Sequence, residues 1–341
     1  MSLIVAILLL LVVSRVAAEL AERVGQPAMI GEIVAGIILG PALLGLIHES
    51  AELTAIADIS LLMLVLLAGM EIELQQLFDA FTGRNLWISL MGFIVPFALG
   101  VGTGALLGLD PNRTIFVGLC IAITALPVSI RILMDIGRLQ TTIGQRIIGA
   151  AIANDVLALL VLGVVVKANT SGAGWREVVA SAGMPTVKVL LFMTAVVVAG
   201  KAISRAAAMA HLDKLRGAIG GRLRVKEPVF AATLTFVIVF AALPEALGLH
   251  FVVGAFFGSV LLSRELLGPQ QFEQARRTAS AVSMGFLAPL FFASIGLAFD
   301  PSGLTDVWLT VGIVTVAFVG KIFAGRLGGW LAGMRPAESW A

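Results

Sequence analysis

The chain has 341 residues, 59% of them hydrophobic and only 13% charged, with a mean hydropathy of +1.03. A soluble domain carries about a quarter of its residues as charges, so the composition excludes an ordinary soluble enzyme and predicts an all-α polytopic membrane protein. The net charge is only +2 and the basic residues lie between apolar runs, which argues against a nucleic-acid partner; the single cysteine, Cys120, rules out an internal disulfide or a cysteine metal cluster.

A spanning helix needs about 20 mostly apolar residues. Eleven segments meet or approach that length, near 3–22, 28–47, 54–74, 85–107, 114–135, 144–166, 184–206, 229–248, 249–263, 280–299 and 307–331. The first has no basic leader and no clear cleavage site, so it reads as a membrane helix rather than a signal peptide. Span two carries Gly36 and Gly40 in IGEIVAGIILGP, and span three ends in LLMLVLLAGMEIEL. Span nine repeats the glycine spacing at Gly254 and Gly258, and span ten repeats the apolar run, glycine and acid in LAPLFFASIGLAFD. The second pair enters the membrane from the opposite side, which predicts an inverted-repeat transporter with broken helices and a site at the repeat interface. By that symmetry the chain stops two helices short of its first copy.

Lys and Arg collect on cytoplasmic loops. With the N-terminus outside, the inner loops and helix ends hold sixteen of these residues, including Arg84, Arg138, Arg276 and the basic segment 210–228, against three outside: Arg113, Lys167 and Arg176. The basic segment reads as topology-setting charge. The sequons at Asn112 and Asn169 read as chance, and His48, His211 and His250 are too scattered for a catalytic or metal site.

Four features carry chemistry. In span five, LCIAITALPVSIRIL, Pro127 lacks an N–H and clashes with the Ile123 carbonyl, so the helix is kinked or broken near mid-membrane and frees carbonyls that Thr124 and Ser129 can supplement. In span six, Asp155 lies about 16 Å along the helix, deep in the apolar run. A carboxylate there costs at least about 2.5–3.5 kcal/mol, so it should face a cavity or a partner and bind a proton or a monovalent cation, not both. Asn154 offers a hard carbonyl oxygen, or, pointing about 100° away, serves the neighbouring wall. In span eleven, Lys321 is about 15 Å from the inner end, too deep to snorkel, and should pair with a carboxylate or carbonyl. Arg15, Arg131 and Lys188, nearer their span ends, are expected to snorkel, with Arg131 still a candidate for a supporting role four residues after Pro127.

Together, GQPAMIGEIVAGIILGP, LLAGMEIEL, the TALPV break, RILMDIGRL, the Asn154–Asp155 pair, LHFVVGAFFGSVLLS, PLFFASIGLAFD and VGKIFAG resemble the second family of cation/proton antiporters, which comprises bacterial Na⁺/H⁺ exchangers and K⁺ efflux systems. The resemblance covers essentially the whole chain and implies the sodium/proton antiporter fold, elevator-type movement and a homodimer in the bacterial inner membrane. It implies panel helices over 1–80 and 229–306, ion-binding core helices over 81–166 and 307–341, and a linker helix with a basic loop over 167–228. No cofactor is implied; Na⁺ or K⁺ and H⁺ are the cargo. Many relatives have two acids where this chain has Asn154 and Asp155, so Lys321 lacks the acid it pairs with in them, and a single titrating carboxylate favours electroneutral exchange. The other expectations are a K⁺ efflux system, and a scaffold or sensor that has lost transport.

Overall fold

The computed structural model describes residues 2–71, 83, 85–124, 126–171, 194, 198, 228–246, 251–262, 264–304 and 307–334. Most of span seven and of the basic segment 210–228, with Lys188, lies outside them, as do the side chains of Asp155 and Pro127. In chain order the helices are α1 (Leu3–Arg23), α2 (Ala28–Leu39), α3 (Ala51–Met70), α4 (Asn85–Leu106), α5 (Pro111–Ala122), α6 (Leu126–Asp135), α7 (Thr142–Ser171), α8 (Pro228–Ala246), α9 (Phe251–Leu261), α10 (Arg264–Leu267) and α11 (Pro269–Val282). A π-turn (Ser283–Leu287) joins α11 to α12 (Ala288–Leu297), and a 3₁₀ turn (Pro301–Leu304) precedes α13 (Val307–Leu331). Among the described residues, five helical stretches have the length and apolar character to cross a bilayer: Leu3–Arg23, Ala51–Met70, Leu86–Leu106, Pro269–Leu297 and Thr310–Leu331.

Local chemistry sets the helix ends. Ser50 caps α3, its hydroxyl accepting from the Leu53 N–H at 3.3 Å. Asp110 caps α5 by accepting from the Asn112 and Arg113 N–H groups, each at 3.1 Å, with Pro111 at the first helical position, where a missing N–H costs nothing. Two boundaries differ from the hydropathy reading. Helix α2 stops at Leu39 rather than at 47, because Gly40 turns extended and Pro41 cannot continue the helix. Span ten begins at Pro269 rather than 280, because the polar segment PQQFEQARRTASAV is amphipathic and buries Phe272, Ala275 and Ala279 on one face.

The chain divides into two compact units. One comprises Met1–Glu73 and Gly200–Thr305, and the other Leu74–Ala199 and Asp306–Ala341. In the first, α2 packs on α1 and α12. A Cβ on Gly36 would overlap the Ala293 carbonyl, and one on Gly296 would overlap the Ile33 carbonyl, so the two backbones touch. The matching glycine of span nine, Gly254, abuts the Phe240 carbonyl and Pro244 of α8. Both glycine signatures are thus helix-packing faces. At the end of α3, Arg276 of α11 bridges Glu71 at 2.7 Å and Glu273 at 2.9 Å.

Arg15 departs from the expectation that it snorkels. Its guanidinium turns onto the protein and donates to the Met284 and Gly285 carbonyls of the π-turn at 2.7 and 2.6 Å. Freed backbone acceptors inside a membrane protein are a stronger attraction than a distant headgroup layer.

In the second unit, α4 lies against α5, α7 and α13. Gly100 and Gly118 bring α4 and α5 into backbone contact, since a Cβ on Gly100 would sit 2.7 Å from the Gly118 Cα. Gly328 does the same for α13 on α4, where a Cβ would sit 2.9 Å from the Ile88 Cα. Phe93, Leu119, Ala122 and Ala158 form the apolar core that joins α4, α5 and α7.

Candidate functional site

Span five is two helices rather than one. Helix α5 ends at Ala122, and the Ile123 N–H, donating to the Leu119 carbonyl at 3.0 Å, makes the last bond of its ladder. Ile123 is extended (φ −62°, ψ 138°), and α6 begins at Leu126. The cause is Pro127, which an uninterrupted helix could not accommodate but which is tolerated as the second residue of a new one. The break leaves carbonyls at the C-terminal end of α5 without helical donors, and the helix dipole places partial negative charge there.

Lys321 meets that charge. From α13 its ammonium donates to the Ala122 carbonyl and to Thr124 Oγ1, the latter at 2.7 Å. Its neighbour Gly320 lets α13 approach α4, since a Cβ there would sit 3.1 Å from Leu99 Cδ1 and 3.8 Å from the Pro96 Cα. A fixed cation, a half-helix terminus and a hydroxyl therefore converge at the break. The main-chain carbonyl is a partner that residue types alone do not reveal.

Asn154 lies in the middle of α7 and is 3% exposed. With the amide oriented to satisfy its neighbours, its nitrogen donates to the Ser89 carbonyl of α4 at 3.0 Å and to the Ala150 carbonyl of its own helix at 3.2 Å. The side-chain amide thus serves the wall, tying the apolar α7 to α4. Asp155 is the next residue of the same helix, and its backbone is helical. Replacing Asn154 by Asp sets an acceptor against two carbonyls; an apparent melting temperature should report a loss of about 1–3 kcal/mol, larger than that of Asn154→Ala, which removes the bonds without adding repulsion.

Ser129 is half-buried on α6. Arg131, 7% exposed, forms an ion pair with Asp135 one turn on, with Nε 3.1 Å from Oδ1 and 3.2 Å from Oδ2. This contact replaces the expected snorkelling. The i,i+4 spacing in RILMD is the sequence signal that identifies Asp135 as the partner.

The ends of broken helices supply hard oxygen ligands for small cations at membrane depth. Here the break, Thr124, Lys321, and the helix that carries Asn154 and Asp155 all belong to one compact unit.

Comparison with known proteins gives the family. A sequence profile described as "Sodium/hydrogen exchanger, transmembrane" matches residues 6–341. The chain is 27% identical over 336 residues to the Na⁺/H⁺-K⁺ antiporter GerN of Bacillus cereus, covering 98% of this chain and 81% of that one. It is 26% identical over 321 residues to an Na⁺/H⁺ antiporter of Enterococcus hirae, covering 94% and 79%. Cation/H⁺ antiporter 18 of Arabidopsis thaliana is 32% identical over 351 residues, which span 96% of this chain but 41% of the plant protein. The solved structure of the sodium proton antiporter MjNhaP1 from Methanocaldococcus jannaschii matches with a TM-score of 0.68 at 16% identity, covering 98% of this chain and 80% of that one, a likeness of fold. The chain belongs to the sodium/hydrogen exchanger family of multi-pass membrane transporters.

Proposed function

We propose that the chain is a secondary active antiporter that exchanges a monovalent cation, Na⁺ in preference, for H⁺, the two competing for the Asp155 carboxylate. The observation that carries the reading is the broken helix α5–α6, whose carbonyl terminus and Thr124 hydroxyl are held by Lys321 in the unit that also carries Asp155. Relatives named as Na⁺/H⁺ antiporters support the cargo.

The steps follow from electrostatics. A carboxylate deep in an apolar helix is disfavoured as a bare anion, so it is satisfied either by a proton or by a cation. The cation draws further oxygen ligands from the freed backbone and from Thr124, and its arrival releases the proton. Lys321 stays bonded at the end of α5 throughout and offsets the half-helix dipole, while Asn154 holds α7 on α4 so that the carboxylate keeps its position. With one exchanging carboxylate, one proton leaves for each cation that enters, and the exchange is electroneutral. Access alternates by elevator-type movement of the ion-bearing unit. The protein works as a homodimer in the bacterial inner membrane, with its N-terminus outside.

A second cargo, K⁺, is favoured by the name of one relative, an Na⁺/H⁺-K⁺ antiporter. Proteoliposomes holding a pH-sensitive dye, challenged in turn with Na⁺, K⁺ and Li⁺, should alkalinise or acidify according to the cation gradient, with the largest response to Na⁺. They should show no accompanying membrane current, and a current driven by the same gradient rules out electroneutrality.

A further inference from the structure

The first unit contains a second interrupted helix, far from Asp155 in sequence. Helix α11 runs into the π-turn Ser283–Leu287, where the Ala288 N–H bonds back five residues to the Ser283 carbonyl. That bond takes the donor that the Met284 carbonyl would have in an α-helix. The donor five residues on from Met284 is residue 289, a proline with no N–H. The same proline deprives the Gly285 carbonyl of its α-helical donor. Two consecutive carbonyls therefore lose a partner to one residue, and they are the two that Arg15 Nη2 reaches, at 2.7 and 2.6 Å. Charged donors make hydrogen bonds about twice as strong as neutral ones, which suits Arg15 to stand in for missing amides. Ser283, fully buried, pins the start of the turn by donating to the Met63 carbonyl of α3 at 3.2 Å.

We infer that Arg15 and Pro289 together form a register lock: Arg15 supplies the N–H groups that Pro289 withholds, and so keeps the helix over 269–297 in a π-containing register. A π-turn is equivalent to one inserted residue, about 100° of rotation between the segments on either side of it. On one side, Arg276 reaches Glu71 at 2.7 Å. On the other, Gly296 lies against the backbone of Ile33 and Gly36. A continuous α-helix would put these two contacts out of phase. The register with the π-turn serves both, and loss of the Arg15 donors lets the helix slip by one residue and pull Arg276 from Glu71. The lock does not depend on the antiport reading.

The test is a double-mutant cycle on the purified 341-residue chain. Arg15→Leu should lower the apparent melting temperature by about 5 °C or more, as expected for losing two charge-assisted hydrogen bonds. In a Pro289→Ala background the same change should cost less than half as much, because the restored amide bonds to Gly285 itself. Equal shifts in the two backgrounds overturn the inference. If Arg15→Leu does not fold but the double variant does, the lock is supported; if neither folds, Arg15→Lys, which keeps a donor of shorter reach, decides: it should fold with an intermediate shift, and failure to do so overturns the inference. Slippage is read separately by joining cysteines at Glu71 and Arg276, in a Cys120→Ser chain, with a short bifunctional thiol reagent. Cross-linking should fall several-fold when Arg15→Leu is added, and an unchanged yield overturns the register claim.

Discussion

Asp155→Asn is expected to abolish cation-driven proton movement while leaving the protein folded. The amide keeps an oxygen ligand and nearly the same volume, so α7 should pack as before. It loses the negative charge. At about 4 Å and an effective dielectric constant near 20, a cation–carboxylate attraction is worth about 4 kcal/mol, so cation affinity should fall by at least about a hundredfold. The amide also cannot release a proton at any accessible pH, so exchange stops even when the cation is raised to compensate. Dye-loaded proteoliposomes measure this directly, with monodispersity in size-exclusion chromatography as the folding control. Wild-type exchange by a well-folded Asp155→Asn protein removes the residue from the mechanism.

Lys321→Met should produce the largest loss of stability within the second unit. The ammonium holds the Ala122 carbonyl and the Thr124 hydroxyl across helices nearly 200 residues apart in sequence. Methionine has a similar length but no donor, so it leaves the terminal carbonyl of α5 unpaired at membrane depth. Hydrogen bonds from a charged group are worth about 1.5–3 kcal/mol each, and the uncompensated helix dipole adds to the loss. Lys321→Arg keeps the charge and should recover part of it. Thermal melting of the three proteins in one detergent checks the order: wild type, then Arg, then Met. A Lys321→Met protein as stable as wild type would mean that the ammonium is not what closes the break.

Much of this architecture was legible in the residues. Hydropathy marked α1, α3, α4 and α13 as helices able to cross a bilayer, and Pro127 marked the interruption of span five, because its ring has no N–H and clashes with the preceding turn. The depth of Lys321 required a partner on the protein, and main-chain acceptors were foreseeable as a class. Which carbonyl it would be was not, since every residue carries one, and Ala122 differs from its neighbours only in its place at the end of a helix. Ser89 went unnoticed for the same reason, as its carbonyl rather than its hydroxyl receives Asn154. The first half of the helix over 269–297 escaped hydropathy because its buried stripe is small, carried by Phe272, Ala275 and Ala279 among polar residues. Arg15 was misread because depth alone was weighed. The deciding fact was Pro289, some 270 positions along the chain, which creates the acceptors that hold it.

Competition at one carboxylate is tested most directly by the dependence of the apparent KM for Na⁺ on pH, measured in proteoliposomes with equal pH on both sides. If proton and cation exclude each other at Asp155, the apparent KM should rise about tenfold for each pH unit below the titration point of the carboxyl, while the maximal rate at saturating Na⁺ stays level. An apparent KM that holds constant across that range while the maximal rate falls would show that proton and cation bind independently, and would contradict the account.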